Sequence, residues 1–304
     1  MRARQRGVAV VMAMGVVALA AMAAAAMLAS QSTWSRYAEL GAEHDQAKAL
    51  VQAGVDWGRA VLSDDRRLGN VDHLGEPWAL RLPPVPVDNG ELAGHIDDQQ
   101  GRFNLNNLVA NGVASPAHIA QFQRLLQVLE LPEALANSLA DWIDADGAPL
   151  PQGGAEDDDY QSRQPPILAA NRPLIDAAEL ALVRGYDDAV RARLRPFVTA
   201  LPGFTPLNVN TAAPEVLVAL VEGLGLDAAR SLVAQRERTY FRTVAEFSAQ
   251  LPPGASVRAS DIATASQYFL ASVRVTIGSA EAQGSALLLR AAAGWPAVVW
   301  RKYP

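Results

Sequence analysis

Seven carboxylates crowd into a short stretch: Asp141, Asp144, Asp146, Glu156, Asp157, Asp158 and Asp159, with no Lys or Arg until Arg163. Glycines and prolines between them (Gly147, Pro149, Pro151, Gly153, Gly154) predict a loop, not a helix surface. Like charges held this close repel one another unless water solvates them or a cation neutralises them. Oxygen ligands with neither His nor Cys among them point to Ca²⁺ over Zn²⁺. The spacing is not that of an EF-hand. With Asp144, Asp146 and Gly147 at its third, fifth and sixth positions, the first falls on Trp142 and the twelfth on Gly153. Composition alone also fits a solvated acidic loop.

Other chemistry finds less footing. His44, His73, His95 and His118 are scattered, and no serine stands in a G-x-S-x-G elbow. His95 and Asp97 alternate on an expected strand with no nucleophile beside them. An acidic loop is a poor setting for raising one carboxyl of a hydrolytic pair. The pattern therefore argues against an enzyme. The chain has 304 residues, half of them hydrophobic, and no cysteine, so disulfides and thiolate metal sites are excluded. Net charge is −6, and the three leading arginines make the remainder −9, which disfavours a nucleic-acid partner. One motif bears on that point. LNVNTAAPEVLVAL, Gly223-Leu224-Gly225 and LDAARSLVAQR resemble a helix-hairpin-helix, whose glycines can offer amides to phosphate. Glu215, Glu222, Asp227 and Glu237 outnumber Arg230, Arg236 and Arg238 around it. A structural use is favoured over a membrane-anchored DNA receptor, the competing reading.

The elements that must carry the loop begin at the N-terminus. Val8 to Leu28 contains no charge and no proline, and Arg2, Arg4 and Arg6 precede it. As a helix it is about 31 Å long, the thickness of a bilayer's hydrocarbon core, and the basic flank orients the rest of the chain across the membrane. Trp34, Tyr37, Gly41, Ala47, Val51, Val55 and Leu62 then share one helix face, so one helix is expected to run to about Leu62. Prolines 77, 83, 84 and 86 forbid helix, and Glu91–Ile96 reads as a strand. Helices are expected after Ser115-Pro116, from Pro132, over Ile175–Arg184 and over Asp187–Leu194, and again near Val244–Leu251. Phe197–Leu201 reads as a strand. Tyr268–Ile277 alternates, and Ala286–Arg290 and Ala297–Trp300 pair with it as a meander. The last strands return to the sheet begun near Glu91, so the helices between them form an insertion. The expected fold is α+β: a long N-terminal helix on an antiparallel sheet, with an all-α lobe inserted over 110–261.

Several of these segments resemble the minor pseudopilin K family of type II secretion. A short basic leader ending in Gly7 before an apolar helix is similar to the leaders that prepilin peptidase cuts, here between Gly7 and Val8. Ala26–Ser30 offers an ordinary signal peptidase an alternative site. Met12, fifth in the mature numbering, stands where most pilin-like chains carry Glu, a trait of K subunits. GRFNLNNL, the block from DWIDADG to GAEDDDY, and LNVNTAAPEVL complete the resemblance. It implies a pilin-like body in the inner membrane with its C-terminal domain in the periplasm. It further implies a place at the pseudopilus tip beside minor pseudopilins I and J, and bound calcium. Carried onto this chain, the implied ligands are Glu156 and Asp157, then Asp144, Asp146 and Asp159, with Glu179.

Overall fold

The computed structural model describes residues 5–81, 83–291 and 294–303; Arg2 and Arg4 of the leader lie outside them. Helix α1 runs unbroken from Gln5 to Leu68, six residues past the expected end. Its first part is apolar all round and exposed on every side, and it is the one helix among the described residues long and apolar enough to cross a membrane. Its last part is one-sided: Ala47, Val51, Val55 and Leu62 are buried against a sheet. Trp34 and Tyr37 lie on the same helix but stay exposed, because the sheet ends before it reaches them. A β-carbon at Gly54 would come within 2.8 Å of Val273, so this glycine sets how closely helix and sheet approach.

The sheet has five antiparallel strands: β1 (Val85–Val87), β2 (Gly90–Asp98), β3 (Tyr268–Ile277), β4 (Ala280–Leu289) and β5 (Ala297–Lys302), in the order β1-β2-β3-β4-β5. Phe269, Ala271, Val273, Val275 and Ile277 alternate inward against α1, as the period of two required. The β3–β4 hairpin turns at Gly278, where Glu43 accepts a hydrogen bond from the Ser279 amide at 3.1 Å.

The chain leaves the sheet at Asp98 and returns at Tyr268, and Asp98 pairs in register with Phe269. The lobe is thus inserted between two neighbouring strands, over a wider span than the expected 110–261. Its helices are α2 (Pro116–Val128), α3 (Leu135–Ile143), α4 (Asp157–Gln161), α5 (Asp188–Leu194), α6 (Pro214–Leu220), α7 (Leu226–Arg238) and α8 (Val244–Ala249). They close over a second core that includes Phe122, Leu126, Leu139, Leu217 and Phe247. The helix expected over Ile175–Arg184 is a 3-10 segment, Ala177–Leu182. The lobe is also not purely helical, since two parallel pairs of two-residue strands tie its entry to its middle and its middle to its exit, and a small hairpin forms over 109–114.

Two N-x-N sequences explain how the lobe is laced. Asn104 and Asn106 satisfy both ends of their amides on the backbone. Asn104 accepts from Leu201 N–H and donates to Gly203 O, while Asn106 accepts from Leu174 N–H and donates to Leu174 O and Leu201 O. Asn210 does the same with Phe241, bonding its N–H and its carbonyl at 2.9 Å each. A buried amide with every polar atom paired fixes the passing strand at little desolvation penalty. GRFNLNNL and LNVNT are therefore clips.

Candidate cation site and lobe junction

The acidic loop hangs between α3 and α4. Asp141, fully buried in the last turn of α3, accepts from Leu150 N–H at 3.0 Å and from Ala155 N–H at 2.8 Å, so it shapes the loop from within. The loop then folds Asp144, just past α3, onto Glu156, just before α4. Asp144, Asp146 and Glu156 each place a carboxylate oxygen within 4.8 Å of the other two. Asp144 and Glu156 are buried, at 2 % and 6 % exposure, while Asp146 is exposed at the mouth.

The polar accounting at this cluster does not close with protein atoms. Asp144 Oδ1 and both Glu156 carboxylate oxygens are buried with no hydrogen-bond donor. Burial, then the neighbouring Asp146 and Asp141 charges, pushes the Asp144 carboxyl up to about 7. Burial, then Asp141, Asp144, Asp146 and Asp157, pushes Glu156 up to about 7 as well. Buried acceptors without donors are rare and costly. A hard divalent cation would satisfy all three oxygens and remove the repulsion in one step, and the donor set is all oxygen. The residues fit Ca²⁺.

The remaining expected ligands are engaged elsewhere. Asp159 turns to Arg184 at 2.5 Å and accepts from Glu156 N–H at 3.4 Å, anchoring the start of α4. Arg184 also donates to Gly153 O and Gly154 O, closing the loop from outside. One Asp157 oxygen accepts from Ala169 N–H at 2.9 Å. Glu179 stands outside the group formed by Asp144, Asp146 and Glu156: it accepts from Ile175 and Asp176 amides, pairs with Arg172 at 3.0 Å and caps the 3-10 segment. An acid three residues after Asp176 at a helix start does this work without a metal. His95 and Asp97 approach to 3.4 Å, but Arg81 holds Asp97 at 2.7 Å.

The hairpin between α6 and α7 is closed by protein on its Glu222–Gly223 side, while Gly225 at the start of α7 stays open. Glu222 exchanges both backbone hydrogen bonds with Ser256, at 2.9 and 3.0 Å. A β-carbon on Gly223, whose φ is +77°, would meet Gly254 O at 2.9 Å. Arg236 points inward and donates to Val209 O. The hairpin thus packs on one side, and acids stand in the first turns of both its helices, Glu215 in α6 and Asp227 in α7.

A second charged cluster, invisible to sequence reading, joins lobe to body. Arg290, at the end of β4, is 3 % exposed and pairs with Asp65 of α1 at 2.6 Å and with Asp72. Beside it, buried Asp98 accepts from Thr211 Oγ1 at 2.5 Å, Ser266 Oγ at 2.7 Å, Asn208 Nδ2 at 3.2 Å and Gln100 N–H at 2.8 Å. Burial pushes Asp98 up to about 6. Glu76, half-buried nearby, accepts from Trp78 Nε1 at 2.7 Å and from His73 N–H, and burial pushes it up to about 7. This junction lies at the end of the sheet farthest from the apolar segment, so the lobe crowns the distal end of α1.

Comparison with known proteins decides the family. Residues 101–203 and 207–268 match two profiles described as type II secretion system protein K. The chain is 37 % identical to the type II secretion system protein K of Pseudomonas aeruginosa over 290 residues, covering 91 % of this chain and 86 % of that one. The chain belongs to the type II secretion system protein K family. With the Klebsiella pneumoniae protein K it shares 34 % identity over 100 % of this chain and 98 % of that one. The fold matches a chain in the crystal structure of the GspK-GspI-GspJ complex from enterotoxigenic Escherichia coli. That match has a TM-score of 0.78 and 28 % identity, and covers 88 % of this chain and 99 % of that one. As a protein K member the chain is a minor pseudopilin of type II secretion. Nothing in the hairpin favours the DNA-receptor alternative.

Proposed function

We propose that this protein K family member forms the tip of a type II secretion pseudopilus, assembled with minor pseudopilins I and J. The observation that carries the reading is the likeness to a chain of a complex solved with GspI and GspJ. Two features of the chain support it. The lobe crowns the end of α1 opposite the apolar segment, where an ordinary subunit would leave room for the next. Met12 is an exposed, uncharged residue near the start of that segment, so it brings no carboxylate to pair with the terminal amine of a subunit above it. Prepilin peptidase would cut between Gly7 and Val8, leaving the helix in the inner membrane and the remainder in the periplasm. Asp144, Asp146 and Glu156 would hold Ca²⁺, which supplies charge neutralisation for the α3–α4 loop and no chemistry of its own. The role is structural.

The test is the order of subunits in a complex of the full chain with I and J. Cross-links from cysteines placed at position 12 and at the crown should report this chain at one end. A subunit found above Met12 would refute the tip position.

A further inference from the structure

The uncharged part of α1 is longer than its apolar part. Between Arg6 and Arg36 there is no Asp, Glu, Lys, Arg or His, and the backbone is helical throughout. Gly7–Ser35 is 29 residues, which rise about 43 Å at roughly 1.5 Å each. A bilayer's hydrocarbon core takes only about 30 Å, whereas core and both headgroup layers together span about 40–45 Å. With Val8–Leu28 in the hydrocarbon, residues 29–35 cross the outer headgroup layer.

At the outer edge of that layer stand Trp34 and Tyr37, 76 % and 71 % exposed, on either side of Arg36. The body takes hold of the helix only beyond them, at Glu43 through the Ser279 amide and hydroxyl. Among the described residues the first to be buried is Ala47. Side chains on a helix lean towards its N-terminus, which here is towards the membrane. Trp and Tyr favour the headgroup level, where the ring is shielded and the N–H or O–H stays wet, and an Arg beside them reaches phosphate.

We propose that Trp34, Arg36 and Tyr37 form an interfacial anchor that docks on the phospholipid headgroups of the outer-facing leaflet and fixes how deep α1 sits. It rests on the reading of α1 as a membrane-crossing helix. The occupant is lipid because the patch continues directly from the membrane-crossing segment and matches it in length, and because it lies below the globular body. The anchor holds Ala47, 13 residues beyond Trp34, about 20 Å above the headgroups, so the crown stands at a set height before assembly.

The chain has no cysteine, so single introduced thiols report depth without background. The full chain is reconstituted in phosphatidylethanolamine–phosphatidylglycerol vesicles and challenged with a membrane-impermeant maleimide at Val16→Cys, Ser30→Cys and Glu39→Cys. Positions 16 and 30 should be protected and 39 labelled. Adding Trp34→Ser and Tyr37→Ser should raise labelling at 30 several-fold while 16 stays protected, and the exchange Trp34→Tyr with Tyr37→Trp should restore protection. Equal labelling at 30 with and without the aromatic pair overturns the anchor and leaves the spanning helix intact. Protection at 30 that appears only when I and J are added assigns the patch to protein and also overturns it. Labelling at 16 removes the membrane reading itself, and the anchor with it.

Discussion

Replacing Asp144 by Asn and Glu156 by Gln together tests the cation site at its centre. Three buried oxygens without donors (Asp144 Oδ1, Glu156 Oε1 and Oε2) at about 1–3 kcal/mol each set a ceiling of roughly 3–9 kcal/mol for what a cation can relieve. Mass action sets the realised gain: Ca²⁺ at a hundredfold excess over Kd stabilises by about 2.7 kcal/mol if only the folded state binds. For a body of this size ~1 kcal/mol moves Tm by about 2–4 °C, so chelator and calcium melts should differ by roughly 5–11 °C. The assay is thermal unfolding of the full chain in detergent. It is followed by the fluorescence of Trp142, which packs edge-on against Tyr160 at 4.8 Å beside the loop. The double variant should lose the calcium increment. In chelator it should be no less stable than the parent, because the amides keep the shape and remove the repulsion. A parent chain with one Tm in both buffers, or a variant that keeps the increment, would refute the reasoning.

Three further expectations follow from other parts of the molecule. Arg290→Met leaves Asp65 and Asp72 buried without their partner, and should destabilise by about 3–5 kcal/mol in denaturant titration; a loss below about 1 kcal/mol would mean water reaches the junction. Glu76 is raised from 4.5 to about 7 by burial, so its ionised form destabilises the fold above that value. That penalty disappears as pH falls from about 7 towards 4.5, and Glu76→Gln should make the stability profile less steep across this window, leaving the part that Asp98, Asp144 and Glu156 contribute. Mass spectrometry of the membrane-extracted protein should find Val8 as the N-terminal residue, and a start at or after Ala29 would instead mark a cleaved signal peptide.

The long helix and the strand Tyr268–Ile277 were legible because each repeats one period over many residues. The next strand, expected over Ala286–Arg290, starts six residues earlier at Ala280, where Glu281, Gln283 and Gly284 hide the pattern. Tyr268–Ile277 ends where its alternation ends. The acidic loop was legible as a concentration of charge, and the three carboxylates that converge were among the six named, but which of the six converge was not legible. Which carboxylates converge depends on backbone amides and on Arg184, and Arg184 lies 25 residues from the Asp159 it captures. Glu179, named as a ligand from the resemblance, takes part in a capping box with Asp176, a role its three-residue spacing also allowed. The junction gave no local signal at all. Arg290 meets Asp65 and Asp72 across separations of 225 and 218 residues, and in sequence each is one more surface charge.

That Asp98 and Phe269 face each other across β2 and β3 has an engineering consequence. The two ends of the insertion lie one strand spacing apart, a gap that a turn of two to five residues bridges in ordinary hairpins. The crown is therefore removable in principle without re-routing the chain: a short loop from residue 98 to 269 restores a plain antiparallel meander under α1. The obstacle is the side chain of Asp98 itself. Its donors Thr211, Ser266 and Asn208 all leave with the lobe, so a trimmed chain needs a neutral residue there to fold. A minimal pilin body of this design would carry the same helix and sheet with an open upper end, ready to be stacked upon.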